Sequence, residues 1–317
     1  MLSALLILAS HAVGQVDLPA AKPVPRMQVL PLPGDEASVV REGQEIARYY
    51  FAKDLYRPFL YPLVGPSGKS LTRMGHPRDP NGHSHHNSVW VSHHVVNGVG
   101  FWNDAKSSEG RIVHQKVVRY EDADDEALIE VQNAWVDGAG RGKTLLEEQR
   151  AMRFRPQANG QWLLVLDITF SALKQPVTLG KTNFGFVGVR MAKTIGVHDG
   201  GGMIRNSEGA INEPQVHEKA ARWVDYSGPI TPSNREGITL LDHPQNPNHP
   251  TVFHVRDDGW MGAAVNFAAP HTIQPGQQLK LRYGLWVHGG VPAAGAIEEQ
   301  FAAFAKMGDV QTPPMKK

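Results

Sequence analysis

Histidine is the most conspicuous chemically versatile residue in this sequence. Six of its 15 histidines fall within GHPRDPNGHSHHNSVWVSHHVVNGVGFWN, residues 75–103. An imidazole can bind a divalent metal, transfer a proton near neutral pH, or hydrogen-bond a sugar hydroxyl. The segment is therefore the first candidate for a functional site, and its histidines are His76, His83, His85, His86, His93 and His94.

The spacing of these histidines predicts different roles. In an extended chain His83 and His85 lie on the same side, with Cα atoms about 6–7 Å apart, which suits two ligands of one divalent metal or a pair that grips one substrate. His86 points to the other side unless the backbone turns. His93 and His94 take opposite faces of a predicted strand, so one of them is inward. We assign proton transfer to His86 and His93. The alternative, that these side chains are exposed or cap turns, stays open.

Charged side chains next to apolar runs are further candidates. Arg57 lies in YRPFLYPL and Arg190 ends FGFVGVR, where a guanidinium can bind a hydroxyl-rich or anionic substrate or form an ordinary salt bridge. Asp242 and His243 in LLDHP offer an acid and a base, and we predict that they are catalytic partners of the histidines.

Aromatic residues and one more histidine complete the predicted substrate contacts. Trp102 and Trp223 offer flat faces for the C–H groups of a sugar, with core packing as the alternative, and His254 in FHVR is a polar contact. Asp257 and Asp258 are adjacent and indicate only a turn.

Alternating apolar residues predict that antiparallel strands position these side chains. Residues 278–288 alternate as in a strand with one buried face, and residues 161–170 are apolar nearly throughout, as in a strand covered on both faces. Residues 137–142 predict a hairpin loop. Further strands are predicted at 37–51, 112–120, 127–136, 145–155, 184–192, 251–256 and 261–267.

One stretch has helical spacing. Residues 293–307 place Ile297, Phe301 and Phe304 on one face, as in a C-terminal helix docked on a sheet. The 32 glycines and 23 prolines are typical of a chain with many turns. We predict an all-β fold, a large antiparallel β-sandwich with a short C-terminal helix, in which residues 37–310 form a single domain.

The ends of the domain and its loops carry separate predictions. Residues 2–9 form an apolar run too short to cross a bilayer, with small residues following, so residues 1–14 are predicted to be a signal peptide and the protein periplasmic or secreted. Residues 15–36 are Pro-rich and predict an extended N-terminal arm. Residues 199–250 are predicted to supply long loops at the active face.

Composition excludes several classes of function. The chain has no cysteine, which excludes disulfides and thiolate metal sites, and its net charge of +1 gives no basic surface for nucleic acid. No later stretch has the length and apolar character of a membrane span.

Four motifs together resemble the bacterial family known as methane oxygenase PmoA-like, to which no function is assigned. The motifs are RPFLYPL, GHSHHNSVWVSHHVVNGVGFW, RWVDYSG and LLDHPQNPNHPTVFHVRDDG, within residues 40–290. Many relatives carry DHPHHRGLWFAHGDVNG where this chain has GHSHHNSVWVSHHVVNG. The chain departs from that pattern at Gly82 and Asn87, which replace an acid and an arginine. Four histidines fall on family positions: His83, His85, His86 and His93.

The resemblance implies a function in carbohydrate chemistry, because that family is similar to the galactose-mutarotase-like supersandwiches, which handle sugars in an open groove with histidines and carboxylates. We expect an exported enzyme that cleaves a glycoside, as a lyase or hydrolase, or epimerises it, acting on a carbohydrate or other small polar substrate, with or without a divalent metal. One alternative is a non-catalytic glycan-binding module with Trp90, Trp102, Trp223 and Trp260 as stacking platforms. Another is a redox protein with copper or iron. The oligomeric state stays open.

Overall fold

Two large sheets and one small sheet build the protein in its computed structural model, which describes residues 20–75, 83–104 and 110–308. His76 and the predicted signal peptide lie outside these ranges. Every strand pair within the sheets is antiparallel over the described residues, so the predicted all-β, antiparallel class is confirmed.

The strands are numbered in chain order, which differs from their spatial order in the sheets. The first large sheet has nine strands, in the spatial order β1 (Met27–Leu32), β2 (Glu36–Arg41), β3 (Gln44–Tyr50), β4 (Phe59–Leu63), β5 (Val89–Val91), β13 (Val187–Arg190), β19 (Trp260–Ala264), β18 (Val252–Arg256) and β15 (Lys219–Ala220). The second has eight, in the spatial order β14 (Met203–Asn206), β16 (Trp223–Pro229), β17 (Arg235–Asp242), β21 (Gln278–Gly289), β11 (Trp162–Ala172), β10 (Thr144–Pro156), β9 (Ala127–Val136) and β8 (Arg111–Asp122).

The small sheet has four strands: β20 (His271–Ile273), β12 (Val177–Leu179), β6 (Val95–Val96) and β7 (Val99–Gly100). The longest helix is Ala294–Ala305 among the described residues. Short helical segments lie at Asp137–Gly140, Ala158–Gly160, Lys193–Ile195, Val197–Gly200 and Asn212–Val216. Of the helices in the described ranges, none has the length and apolar composition needed to cross a bilayer.

The main core lies between the two large sheets, because alternate side chains of each strand point into it. In β13, Val187 and Val189 join the core while Gly188 and Arg190 take the opposite face. The second sheet is also covered on its outer face, where the C-terminal helix packs Ile297, Phe301 and Phe304 against its strands. The double burial predicted for residues 161–170 is thereby confirmed, since Leu164 faces the main core and Leu163 faces the helix.

The structure corrects three predicted segment boundaries. Part of the expected N-terminal arm is β1, an edge strand. It tolerates Pro31 because the backbone nitrogens of alternate residues point away from β2, as those of Met27 and Val29 do. The predicted strand at 37–51 is a hairpin that turns at Glu42 and Gly43, both with positive φ. The stretch predicted as loops at 199–250 instead supplies β14, β15, β16 and β17.

A buried polar cluster links the strands β16, β17 and β21 in the second sheet. The carboxylate of Asp225 accepts hydrogen bonds from Thr239, Ser227, Arg205 and His288 at 2.7–2.9 Å. Burial raises the pKa of Asp225, but its cationic partners outweigh burial and hold the value at about 2. The cluster satisfies the carboxylate within the fold, so its role is structural.

Candidate functional site

Four aromatic side chains form a cluster on the outer face of the nine-stranded sheet, which we call the aromatic face. Its members are Phe59, Trp90, Trp102 and Trp260. The sheet register brings Trp90 and Trp260 together, because the residues across from Trp90 on the next two strands are glycines. Trp90 lies opposite Gly188, and Gly188 lies opposite Gly262. A Cβ at Gly188 would lie 2.7 Å from the Trp260 indole and 2.8 Å from that of Trp90. The glycines therefore make the room in which the two indoles pack.

The histidine segment, residues 83–87, lies over this aromatic face. Arg57, which is 1% exposed, donates to the carbonyl oxygens of His85, Phe101, Trp102 and Asn103 and to the Asn87 side chain, at 2.6–3.2 Å. Sequence reasoning expected Arg57 to bind substrate. The structure corrects this expectation, because all these bonds go to the protein and fix the position of the segment.

Three imidazoles of the segment meet at one place. The His83 and His86 rings stack with centroids 4.5 Å apart, and the His85 ring lies edge-on to His86 at 4.5 Å. His86 in turn stacks on Trp260 at 4.9 Å and on Trp90 at 5.2 Å. His83 and His85 therefore lie near each other, as their spacing predicted, and a backbone turn brings His86 beside them, which the spacing alone did not predict.

Burial keeps His85 and His86 neutral at pH 7. Burial, together with repulsion from Arg57, lowers the pKa of His85 to about 4. His86 is 5% exposed, and burial together with the neighbouring His85 and Arg190 lowers its pKa as well. His86 is covered by its ring partners, so it supports the segment, whereas His83 and His85 remain partly exposed.

A carboxylate and a guanidinium border His83. Asp258 Oδ2 lies 3.4 Å from His83 Nδ1, and Asp258 Oδ1 accepts a 2.8 Å hydrogen bond from Arg190, which is fully buried. Arg190 Nη2 also lies 3.5 Å from His83 Nδ1. Arg190 was predicted to bind substrate or to form a salt bridge. In the structure it lies in the site and orients Asp258.

Asp258 is a site residue that sequence reasoning missed by interpreting it as a turn. It does lie in the turn between β18 and β19, and Gly259 follows it with φ of 99°. The signal available in the sequence was DDG between two predicted strands. Only the pairing of β19 with β13 places that turn beside Arg190.

The predicted proton-transfer residue His93 lies elsewhere. It is fully buried on the core side, stacks on Phe186 at 4.7 Å and hydrogen-bonds the Gly180 carbonyl at 2.9 Å. His94 is exposed and lies 5.1 Å from the Phe184 ring. One inward and one outward histidine were expected, but the inward one faces the opposite side of the sheet from His83.

Asp242 and His243 lie on the other sheet, and the structure corrects their predicted partnership with the histidine segment. Asp242 is buried at the end of β17, where its carboxylate accepts bonds from Asn246, His249 and the Thr251 amide and so fixes the following loop. Burial raises its pKa. His243 packs edge-on against Phe304 and borders a polar cavity of about 310 Å³.

The tryptophans are less accessible than a sugar-stacking role requires. Trp223 is 2% exposed, covered by the C-terminal helix, and donates to Glu298 at 2.9 Å. Trp90, Trp102 and Trp260 are 1–5% exposed. Phe184, whose ring lies 4.5 Å from Trp102, is only half-buried and so is more accessible than these tryptophans.

His254 lies on β18, next to the aromatic face. Its ring lies 6.2 Å from both Phe184 and Trp260, and 4.5 Å from His217. Burial lowers the pKa of His254 to about 4, with repulsion from His217 adding to the shift. His217 and the adjacent Glu218 were not singled out from the sequence, because neither lies in a motif.

With this geometry in view, comparison with known proteins places the chain among its relatives. A protein-family model described as a family of unknown function, DUF6807, matches residues 36–302. The chain belongs to this family. The methane-oxygenase label is not part of that description. No curated protein matches the chain.

Several solved structures match at low similarity. A heparan sulfate lyase, HepC from Pedobacter heparinus, matches at 7% identity and TM-score 0.36 over 81% of this chain and 34% of its own, so this chain spans about a third of the lyase. A GalM/aldose epimerase homologue from C. elegans matches at 10% identity and TM-score 0.35, over 84% of this chain and 100% of its own. A TPR-domain containing protein from Parabacteroides distasonis matches at 9% identity and TM-score 0.31, over 88% of this chain and 50% of its own. Similarities this low do not indicate a shared function.

Proposed function

We propose that this protein is a carbohydrate-active enzyme that removes a proton from its substrate with His83. The observation that carries the proposal is the series Arg190–Asp258–His83 at the edge of the aromatic face, with contacts of 2.8 and 3.4 Å. A base that is oriented by a carboxylate, which is itself held by a third group, is the arrangement that general-base catalysis uses.

The contacts of His83 Nδ1 leave Nε2 as the nitrogen that reacts. Nδ1 lies 3.4 Å from Asp258 Oδ2 and 3.5 Å from Arg190 Nη2. The proposal requires the tautomer with the proton on Nδ1, directed at Asp258 and not shared with Arg190, because a guanidinium only donates; Nε2 then keeps a lone pair for the substrate. Nε2 then takes the proton from a carbon next to a carbonyl, and the electron pair of the C–H bond stays on the substrate as an enolate. Protonation of the enolate by water on the other face, with the His83 proton passing to the hydroxide that remains, epimerises the sugar. In elimination the electron pair instead expels the group at the next carbon, which leaves with the proton that His83 holds.

The neighbouring side chains favour a sugar as the substrate class. His85 is neutral and partly exposed, so it can exchange hydrogen bonds with hydroxyl groups. Phe184 offers an aromatic ring to C–H groups on the same face. Polar and aromatic surfaces side by side fit a molecule with hydroxyl and C–H faces, which agrees with the resemblance carried by the four motifs. A hydrolase would need two carboxyls about 5–9.5 Å apart, and Asp258 is already bound to Arg190.

The experiment is deuterium exchange followed by NMR. The purified protein is incubated in D2O with disaccharides and with their keto derivatives, and incorporation at the carbon next to the carbonyl is measured together with any cleavage. His83→Asn is expected to lower the rate about 10²–10⁴-fold, and Asp258→Asn at least about tenfold through loss of orientation.

The matched control is His94→Asn, because His94 is exposed near Phe184 but does not belong to the segment. Its rate should equal that of the unaltered protein. Full activity in folded His83→Asn would assign the base to another residue. Absence of exchange and cleavage with every sugar would reject the carbohydrate proposal itself.

A further inference from the structure

A second group of ligand-type side chains lies next to Trp260 and Phe184, outside the histidine segment. His217, Glu218 and His254 each offer one donor atom, and these atoms lie within 4.8 Å of one another, which no other such group does among the described residues. His217 Nε2 and Glu218 Oε1 are 3.6 Å apart. Two donors at 2.0–2.1 Å from a tetrahedral zinc ion are separated by roughly 3.3 Å. Small side-chain movements therefore suffice to bring all three to one ion.

Backbone contacts fix both imidazoles in the tautomer that a metal needs. His217 Nδ1 lies 2.9 Å from the Val255 carbonyl oxygen, and His254 Nδ1 lies 3.2 Å from that of Asn183. A carbonyl only accepts, so each Nδ1 carries the proton and each Nε2 keeps its lone pair. Metal-binding histidines are oriented by this kind of outer contact.

Glu218 is also positioned by the protein. The Asn183 side chain donates to Glu218 Oε1 at 3.0 Å, and this bond lowers the pKa of the carboxyl. The backbone of Glu218 has φ of 57°, in the left-handed region that non-glycine residues seldom adopt. Such backbone strain concentrates at functional sites, and here it accompanies a carboxylate aimed at two imidazoles.

We propose that His217, Glu218 and His254 bind a divalent transition metal, with zinc as the reference ion. Two histidines and one carboxylate leave coordination positions open for water or substrate. The ion would lie beside the His254 ring, which is 6.2 Å from both Phe184 and Trp260, whereas the His83 ring stacks on His86. This location differs from the predicted pair His83 and His85, and it does not depend on the proposed sugar chemistry.

Arg256 provides a sharp test, because its Nε donates to His254 Nε2 at 3.3 Å. It occupies the lone pair that the metal needs, and its charge repels a cation. Arg256 is exposed and can swing away. The proposal therefore predicts that Arg256→Gln binds metal more tightly than the unaltered protein, by about tenfold.

The experiment measures metal alone, without a sugar. The full chain is stripped with chelator and dialysed, then titrated with Zn²⁺ by calorimetry and with Co²⁺ by its visible absorption, which reports coordination by nitrogen and oxygen. We expect one ion per chain. Glu218→Gln and His254→Ala should weaken binding at least about 100-fold, and Asn183→Ala about 10-fold through the outer contact.

The controls separate this site from the histidine segment. His94→Asn and His85→Ala should bind Zn²⁺ like the unaltered protein, and circular dichroism checks that each variant is folded. Because His254 is buried, the half-exposed Glu218 gives the variant that is most certain to fold. Failure of the unaltered chain to bind Zn²⁺ or Co²⁺, or loss of binding in His85→Ala but not in Glu218→Gln, would overturn the proposal.

Discussion

Replacing Arg57 by lysine tests whether one buried guanidinium holds the candidate site together. Arg57 donates to five acceptors in two separate segments, residues 85–87 and 101–103. A lysine ammonium keeps the charge but has three donors, so Arg57→Lys removes at least two of these five bonds. The bonds to Phe101 and Trp102 are buried and the other three are part-buried. Since one hydrogen bond contributes about 0.5–1.5 kcal/mol net, the free energy of unfolding should fall by about 1–3 kcal/mol.

The assay is urea unfolding at pH 7, followed by tryptophan fluorescence. The matched control is Arg235→Lys, because Arg235 is exposed and donates one bond, to the Gly201 carbonyl at 3.1 Å. That change should stay within about 0.5 kcal/mol. If Arg57→Lys proves too unstable to purify, Asn87→Ala removes a single acceptor and should cost about 1 kcal/mol. Equal midpoints for Arg57→Lys and Arg235→Lys would refute the reasoning.

Three further changes test other parts of the fold by the same urea assay. Gly188→Ala places a Cβ 2.7 Å from the Trp260 ring and should destabilise the protein by about 1–3 kcal/mol, whereas Gly295→Ala, with no atom within 4 Å, should cause no loss. Asp225→Asn should cost about 3–5 kcal/mol at pH 7, and it should reduce the loss of stability that the unaltered protein shows as pH falls from about 4 towards 2. Burial lowers the pKa of His93 to about 4, so stability should fall as pH drops below about 6.5. His93→Phe should reduce this fall by up to about 1.4 kcal/mol per pH unit, and midpoints at pH 7 and 5 that shift equally in both proteins would contradict the assignment.

Local periodicity was enough to predict most of the strands. Residues 278–288 alternate because one face of β21 packs in the core, and the helical spacing of Ile297, Phe301 and Phe304 corresponds to the helix that covers the second sheet. The segment 199–250 was interpreted as loops because its many glycines, prolines and asparagines mask short strands. Their pairing with β21 and with each other is a long-range property that local patterns do not contain.

The candidate site could be predicted only in part, because sequence spacing fixes the side of a strand but not the neighbours across a sheet. The proximity of His83 and His85 followed from their spacing within one segment, whereas the turn that brings His86 to them did not. Asp258 lies near His83 because β19 pairs with β13, and no pattern in the sequence predicts the register of these two strands. Arg57 looked like a ligand-binding residue because the carbonyl oxygens that it binds are backbone atoms, which every residue possesses.

The hairpin formed by β18 and β19 contributes residues to both proposed sites. His254 lies on its first strand, Asp258 at its tip and Trp260 on its second strand. Since side chains alternate along a strand, deleting one residue before the tip would turn His254 into the core and withdraw the carboxylate from His83 in the same event. One hairpin therefore positions residues of both proposed centres. A change in its length is more damaging to these centres than a change of one side chain.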